Sequence, residues 1–296
     1  MAAFFTLGNA TCGAATTAVP ETTPLKKIQV NGVELHYLDQ GSGVPVVFIH
    51  GGLVDYRRWT LQVEPFARHY RVITYSRRYN FPNQNPRIDP AYSAAIDAED
   101  LAALIKGLRL GQVNVVGESH GAYTALYLAV RHPELVNKLV LAEAPMLRWL
   151  NSSPEGKAAF DEYQDRLWHP VGQAFSRGDS AAAMKVIAAF FLDGATVASM
   201  PPDLRALVEA NLREWQALST SSDAFPSLRR DEVAGIRAPT LLMGGAQTLT
   251  LHKLLDAQYA ALLPHSTRVV IPNATHEMWD EQPALCREKT LEFLAR

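Results

Sequence analysis

The chain is short of most features that would mark it as a disulfide scaffold, a membrane protein or a nucleic-acid binder. It has two cysteines, Cys12 and Cys286, too few and too scattered for a disulfide framework or a cysteine metal site. Both read as free thiols, with a disulfide between them as the alternative. Positive charge is not in excess. Against 30 Asp and Glu stand 28 Lys and Arg, a formal charge of -2 that offers no basic surface to phosphate backbones or anionic membranes. No apolar run approaches the roughly 18 residues needed to span a bilayer. A H-E-x-x-H pair, a P-loop and a dinucleotide fingerprint are also missing, so neither a metal nor an organic cofactor is implied. Nucleic acid and membranes are therefore not expected partners, and oligomeric state stays open.

What is present is a chain of 296 residues, 48% of them apolar, enough to bury a substantial core. Residues 1–24, rich in Ala, Thr and Gly and without a basic start, read as a poorly ordered lead-in. Cytoplasmic location is the default expectation, with periplasmic or secreted as the alternative if an upstream signal was trimmed. From Leu25 onward, strand-like and helix-like segments alternate. Strands are expected at 26–30, 33–39, 45–50, 71–75, 113–117, 138–142, 240–243 and 267–271, with the first two joined as a hairpin by Asn31-Gly32. Helices are expected around 59–69 and 91–108. This alternation predicts an α/β protein with a mostly parallel eight-stranded sheet covered on both faces.

The alternation breaks over residues 145–236, which offer helix candidates at 160–175, 181–191 and 203–218 and no strand. Such an insertion sits over the carboxyl edge of the sheet, where ligands bind in open α/β folds. It is expected to be a helical cap on a core made of 25–144 and 237–296. Trp149, Trp168 and Trp215 in this cap either pack among themselves or line a pocket.

The most specific feature is the pentad Gly117-Glu118-Ser119-His120-Gly121. It directly follows the apolar run Val113-Asn114-Val115-Val116 and directly precedes the helix-like stretch from Ala122 to Ala129. A G-x-S-x-G between strand and helix is a nucleophile elbow: the sharp turn brings two backbones together, so the positions two before and two after the serine must lack bulk. It holds a serine hydroxyl above the sheet edge beside a helix N-terminus, where amides meet developing negative charge.

With the elbow, His50-Gly51-Gly52 after the third strand and Trp59 beyond it, the chain resembles the α/β-hydrolase family over nearly all of Leu25 to Arg296. The resemblance implies an oxyanion hole from the backbone amides of Gly52 and His120, and a structural role for His50. It also implies a base. Of nine histidines, His276 in Val269-Val270-Ile271-Pro272-Asn273-Ala274-Thr275-His276 looks like the family's histidine loop.

The acid departs from the family's usual place. Relatives carry Asp after the seventh strand, but Leu241-Leu242-Met243-Gly244-Gly245-Ala246-Gln247-Thr248 has no carboxylate, and Thr248 stands about where it would be. Glu143, at the tip of the sixth strand, is the substitute, as in zearalenone lactonases and some haloalkane dehalogenases, which this segment resembles. Asp256, Asp280 or a bare Ser-His dyad are the alternatives. Glu118 is expected to be a supporting side chain and Asp55 a helix cap. Arg77 and Arg78 are expected either in a solvated loop or reaching the pocket mouth.

The resemblance thus implies a serine hydrolase cleaving a carboxylic ester or lactone through an acyl-enzyme, with Ser119, His276 and Glu143 as its triad. A bulky macrolactone of mycotoxin or macrolide type is one expected substrate. Because dehalogenases and epoxide hydrolases of the fold use Asp at the elbow, Ser119 disfavours those reactions. Amide or carbon-carbon bond hydrolysis, and a ligand-binding receptor with vestigial hydrolysis, remain open.

Overall fold

Asn31 and Gly32 turn the chain through two left-handed residues, φ 44° and 76°, the backbone that a tight hairpin requires. In the computed structural model, which describes residues 24–191, 194 and 196–296, this hairpin joins β1 (Lys26–Val30) to β2 (Val33–Gly41), with Lys26 opposite Tyr37 and Val30 opposite Val33. The chain continues through β3 (Pro45–Ile49), α1 (Thr60–Ala67), β4 (Arg71–Tyr75), α2 (Ala94–Gly107), β5 (Val113–Glu118), α3 (His120–Arg131) and β6 (Val136–Ala142). Residues 1–23 of the expected lead-in, with Cys12, lie outside the described residues.

The eight strands form one sheet in the order β1-β2-β4-β3-β5-β6 and then β7 (Thr240–Gly245) and β8 (Ser266–Ile271). The pairs β1/β2 and β2/β4 are antiparallel and every other pair is parallel, so the sheet is mostly parallel and opens on a hairpin, as the sequence predicted. All six residues of β5 and of β7 are buried, as expected of central strands covered on both faces. Side-chain alternation divides the core. Val47, Ile49 and Val115 join the helices α2 and α3 on one face, whereas Val46, Phe48 and Val116 pack with Trp59, Phe66 and Phe293 on the other.

Between β6 and β7 every element among the described residues is helical: α4 (Pro154–Tyr163), α5 (His169–Ser176), α6 (Ser180–Phe191), α7 (Pro202–Ser219) and α8 (Arg230–Ala234). A π-helical turn, Gln164–Trp168, welds α4 to α5. The first of these helices starts at Pro154, ahead of the expected residue 160. Pro154-Glu155-Gly156 looks turn-like in sequence, yet Ser153 caps the helix by accepting a hydrogen bond from the Gly156 amide at 3.0 Å, and proline suits the first helical position. After β7 come α9 (Thr250–Leu262), β8, α10 (Met278–Glu281) and α11 (Pro283–Leu294). Among the described residues, no helix is long and apolar enough to cross a membrane.

Arg77 and Arg78 fit neither expectation. Arg78 is buried and donates to both oxygens of Asp100 at 2.8 Å. Arg77 is buried completely. It donates to Asp97 Oδ2 at 2.8 Å, to the Gly51 carbonyl at 2.9 Å and to Glu214 of α7. Glu214 also accepts from the Leu53 amide and from Asn80 Nδ2, each at 2.9 Å. One turn earlier on the same helix face, Asn211 donates to Asp55 Oδ2 at 2.8 Å and accepts from the Phe81 amide at 2.9 Å. A guanidinium stripped of water is tolerated only when fully partnered, and here the partners come from α2, α7 and the loop after β3. Asp55 caps the short turn Tyr56–Trp59, accepting from the Arg57 amide at 3.0 Å.

Candidate active site

Ser119 sits at the junction of β5 and α3 with φ 52° and ψ -121°, a backbone conformation that side chains rarely adopt. The glycine two residues on makes this turn possible: a Cβ on Gly121 would lie 2.2 Å from the carbonyl oxygen of Ile49. The Ser119 amide donates to the Ala142 carbonyl at 2.7 Å, fixing the elbow to the end of β6. His120 is the first residue of α3, where backbone amides have no partner within the helix.

Glu143 follows β6 in a left-handed conformation, φ 54°, and its buried carboxylate reaches the loop after β7. One oxygen accepts from the Gly245 amide at 2.8 Å, and the other from the Thr248 hydroxyl at 2.8 Å and from Nδ1 of His276. The structure therefore brings the expected base and acid into contact, and Thr248, at the place of the usual Asp, donates to the carboxylate. Asp256 pairs with Arg268, and Asp280 with Arg58. Burial alone would lower the His276 pKa. The hydrogen bond and charge of Glu143, aided by Glu277 and Glu118, outweigh it and leave the imidazole above its usual value. Burial pushes the Glu143 carboxyl up, but His252, His276 and the Gly245 amide bring it below the ordinary range.

Ser119, His276, Gly52 and Trp215 border two cavities. The larger, about 130 Å³, is walled by Leu53, Ile187, Met200 and Val208 and reaches Arg58, Glu277 and Asp280. The smaller, about 70 Å³, is aromatic, with Tyr163, Trp168, Phe190 and Phe225. Gly52 lies tight against the helical segment: a Cβ there would stand 2.8 Å from Nε1 of Trp215. Of the three tryptophans considered above, Trp168 and Trp215 line cavities, whereas Trp149 is buried and donates to the Leu228 carbonyl at 2.9 Å. His50 is buried, with Nδ1 against the Gly51 carbonyl at 2.8 Å and Nε2 accepting from the Arg77 amide at 3.1 Å. Desolvation, with the nearby Arg77 charge, holds its pKa well below the usual value, which suits a structural residue.

Two features of the site were not legible in the sequence. At the edge of the larger cavity, Arg58 gathers three carboxylates: it grips Glu118 through two nitrogens, reaches Glu277 at 3.1 Å and also pairs with Asp280. One cation cannot balance three anions. Burial is the main cause that drives the Glu277 carboxyl up to about 7, with Arg58 opposing it and Glu118 adding to it. A carboxyl whose pKa is higher folded than unfolded contributes stability at low pH and loses it as pH rises through the folded value. Glu277→Gln is therefore expected to stabilise the protein by about 2 kcal/mol at pH 8 and to leave it near parental stability at pH 4. Urea melts at the two pH values measure this; an equal effect at both would rule out the titration.

The second feature is His252, in the first turn of α9. It is buried and stacked on His276, with ring centroids 4.3 Å apart and planes 11° apart. Glu143, His252 and His276 each bring a ligand-type atom within 4.8 Å of the others. Imidazole lone pairs lie in the ring plane, and two nearly parallel planes do not converge on one ion. The cluster is thus a poor metal cage unless a ring rotates.

A family model described as the alpha/beta hydrolase fold matches residues 44–283. Among curated proteins, the chain is 27% identical over 274 residues to a 2-hydroxy-6-oxo-6-(2'-aminophenyl)hexa-2,4-dienoic acid hydrolase of Metapseudomonas resinovorans, covering 91% of this chain and 90% of that protein. Among solved structures, a thermophilic esterase from Thermogutta terrifontis matches with a TM-score of 0.71 at 23% identity, covering 92% of this chain and 98% of the other. An enol-lactonase from Burkholderia xenovorans LB400 matches with a TM-score of 0.66 at 20% identity, over 92% of this chain and all of the other (100%). At these identities the structural matches speak to fold alone.

Proposed function

This chain belongs to the α/β-hydrolase family, and on that premise we propose that it is a serine hydrolase cleaving a carboxylic ester or lactone. The observation that carries the reading is the Glu143–His276 contact beside an elbow serine that borders the same cavities as the imidazole.

In the proposed cycle, Ser119 Oγ attacks the carbonyl carbon while His276 Nε2 takes its proton. Glu143, bound at Nδ1, fixes the tautomer and offsets the charge of the imidazolium. The oxyanion lies on the amides of Gly52 and His120, each donor contributing typically about 3 kcal/mol in the transition state. Collapse breaks the carbonyl–oxygen bond, and the leaving alcohol takes the proton from His276. Water, deprotonated by the same imidazole, then releases the acid and restores Ser119. Residues 145–236 serve as the cap that closes over this chemistry.

A fluorophosphonate probe tests the reading. Rapid labelling that maps to Ser119 and is blocked by an ester substrate supports it; a thermal shift with ligands but neither labelling nor turnover supports a receptor instead. Esters and lactones of graded size, up to macrolactones, then define the substrate.

The charge around the cavities favours neutral substrates. Among the described residues, Arg58 is the only lysine or arginine bordering either cavity, and Glu118, Glu277 and Asp280 already engage it. A substrate carboxylate would meet these anions without a free cation. An aryl ester of a neutral acid is thus expected to show kcat/KM at least about tenfold above that of the corresponding half-ester of a dicarboxylic acid. Equal values would count against the neutral class. They would also bring forward carbon-carbon hydrolysis of a dienoic acid, the activity for which the Metapseudomonas resinovorans relative is named.

A further inference from the structure

His252 is costly where it stands. Its Nδ1 is buried without a hydrogen-bond partner among the described residues, and a desolvated, unpaired polar atom destabilises a fold that an apolar side chain would serve better. Its position gives it another use. The ring lies flat against His276, on the face of the imidazole rather than on the edge held by Glu143. The two contacts together define both the direction and the plane of the base.

We propose that His252 is a positioning residue, which holds the plane of His276 and supports its protonated form by face-to-face stacking. The inference rests on the serine hydrolase reading above. When His276 takes the serine proton it becomes a cation beneath an electron-rich neutral ring, a favourable arrangement in a site shielded from water. The arrangement works only while His252 is neutral. Burial, together with the repulsion of a charged His276, holds its pKa down to about 3.

The other groups that face His276 are Glu143 from the end of β6, Glu118 from the end of β5 and the adjoining Glu277. Arg58 and Asp280 lie behind the last two, and the Asp256–Arg268 pair lies behind Glu143. Substitution at 252 leaves all of them in place. Because His252 also acts on Glu143, the phenylalanine variant, which removes that influence but keeps a ring face, separates it from the stack.

The test compares His252→Phe with His252→Leu and His252→Gln, using a small aryl acetate to keep distant substrate contacts out of the measurement. Phenylalanine keeps a π face and drops the unpaired nitrogen. It is expected to raise Tm and keep the pH midpoint of kcat/KM. Leucine and glutamine remove the face. Each is expected to lower kcat about tenfold, with KM little changed, and to move the acidic limb down by about one pH unit. A purely structural role would change Tm without moving the midpoint. If the leucine variant fails to fold, glutamine carries the same expectation. A parental midpoint and parental kcat in folded His252→Gln, with the wild type active and labelled at Ser119, overturn this inference alone. A wild type that is neither labelled nor active overturns the serine hydrolase reading, and this inference with it.

Discussion

Alanine at position 119 is expected to lower kcat/KM on every ester by about 10⁴- to 10⁶-fold. Among the described residues, no other serine, threonine or cysteine borders either cavity, so nothing nearby can replace the lost hydroxyl. The strained elbow should survive, because alanine at φ 52° pays much the same backbone cost as serine and the supporting amide bond to Ala142 is untouched. Ser119→Ala should thus fold, bind a substrate analogue with near-parental affinity and resist the fluorophosphonate probe. The loss then falls on kcat. Residual activity within tenfold of the parent, after contaminating esterase is excluded, would show that the chemistry does not pass through this serine.

Glu143→Gln should cost about 10²- to 10⁴-fold in kcat, although it changes a single atom. Three donors converge on the two carboxylate oxygens: the Gly245 amide, the Thr248 hydroxyl and His276 Nδ1. A carboxamide has one oxygen, and its NH₂ must face at least one of those donors. It also carries no charge to offset an imidazolium. The pH profile separates the two losses. His276 is active as a base only when deprotonated, so parental activity rises through a pKa that lies above the usual histidine value because Glu143 raises it. In Glu143→Gln that limb should move to lower pH while the plateau falls. An unmoved limb together with parental turnover would hand the role to another carboxylate, or to none.

The fold was legible because its local signals agree. Asn31-Gly32 demanded a hairpin, the apolar runs of β3 and β5 marked buried strands, and the spaced glycines around Ser119 marked a tight strand-to-helix turn. Ser119 could be named from its pentad between strand and helix, and His276 and Glu143 from segments that resemble the family's histidine loop and its alternative acid position. What stayed hidden depends on side-chain direction. Nothing about a histidine two residues into α9 announces that its ring will stack on another 24 positions away. Nor does spacing reveal that Arg58 will gather three carboxylates from two distant segments, the end of β5 and the start of α10. Arg77 misled for the same reason. Charge in a loop suggests water, and its partner Glu214 lies 137 residues downstream in a helix whose packing the pattern alone does not give.

That buried partnership limits how the enclosure over the sheet can move. Asn211 and Glu214 act like a keystone, locking one arm of the roof to the floor through five polar contacts outside α7, with Arg77, Leu53, Asn80, Asp55 and Phe81. Lifting that arm would break the buried Arg77–Glu214 ion pair and leave Glu214 without its cation, although Arg77 would keep Asp97 and the Gly51 carbonyl. In the proposed cap, this helix is then the fixed post, and a doorway for substrate is expected among its other parts.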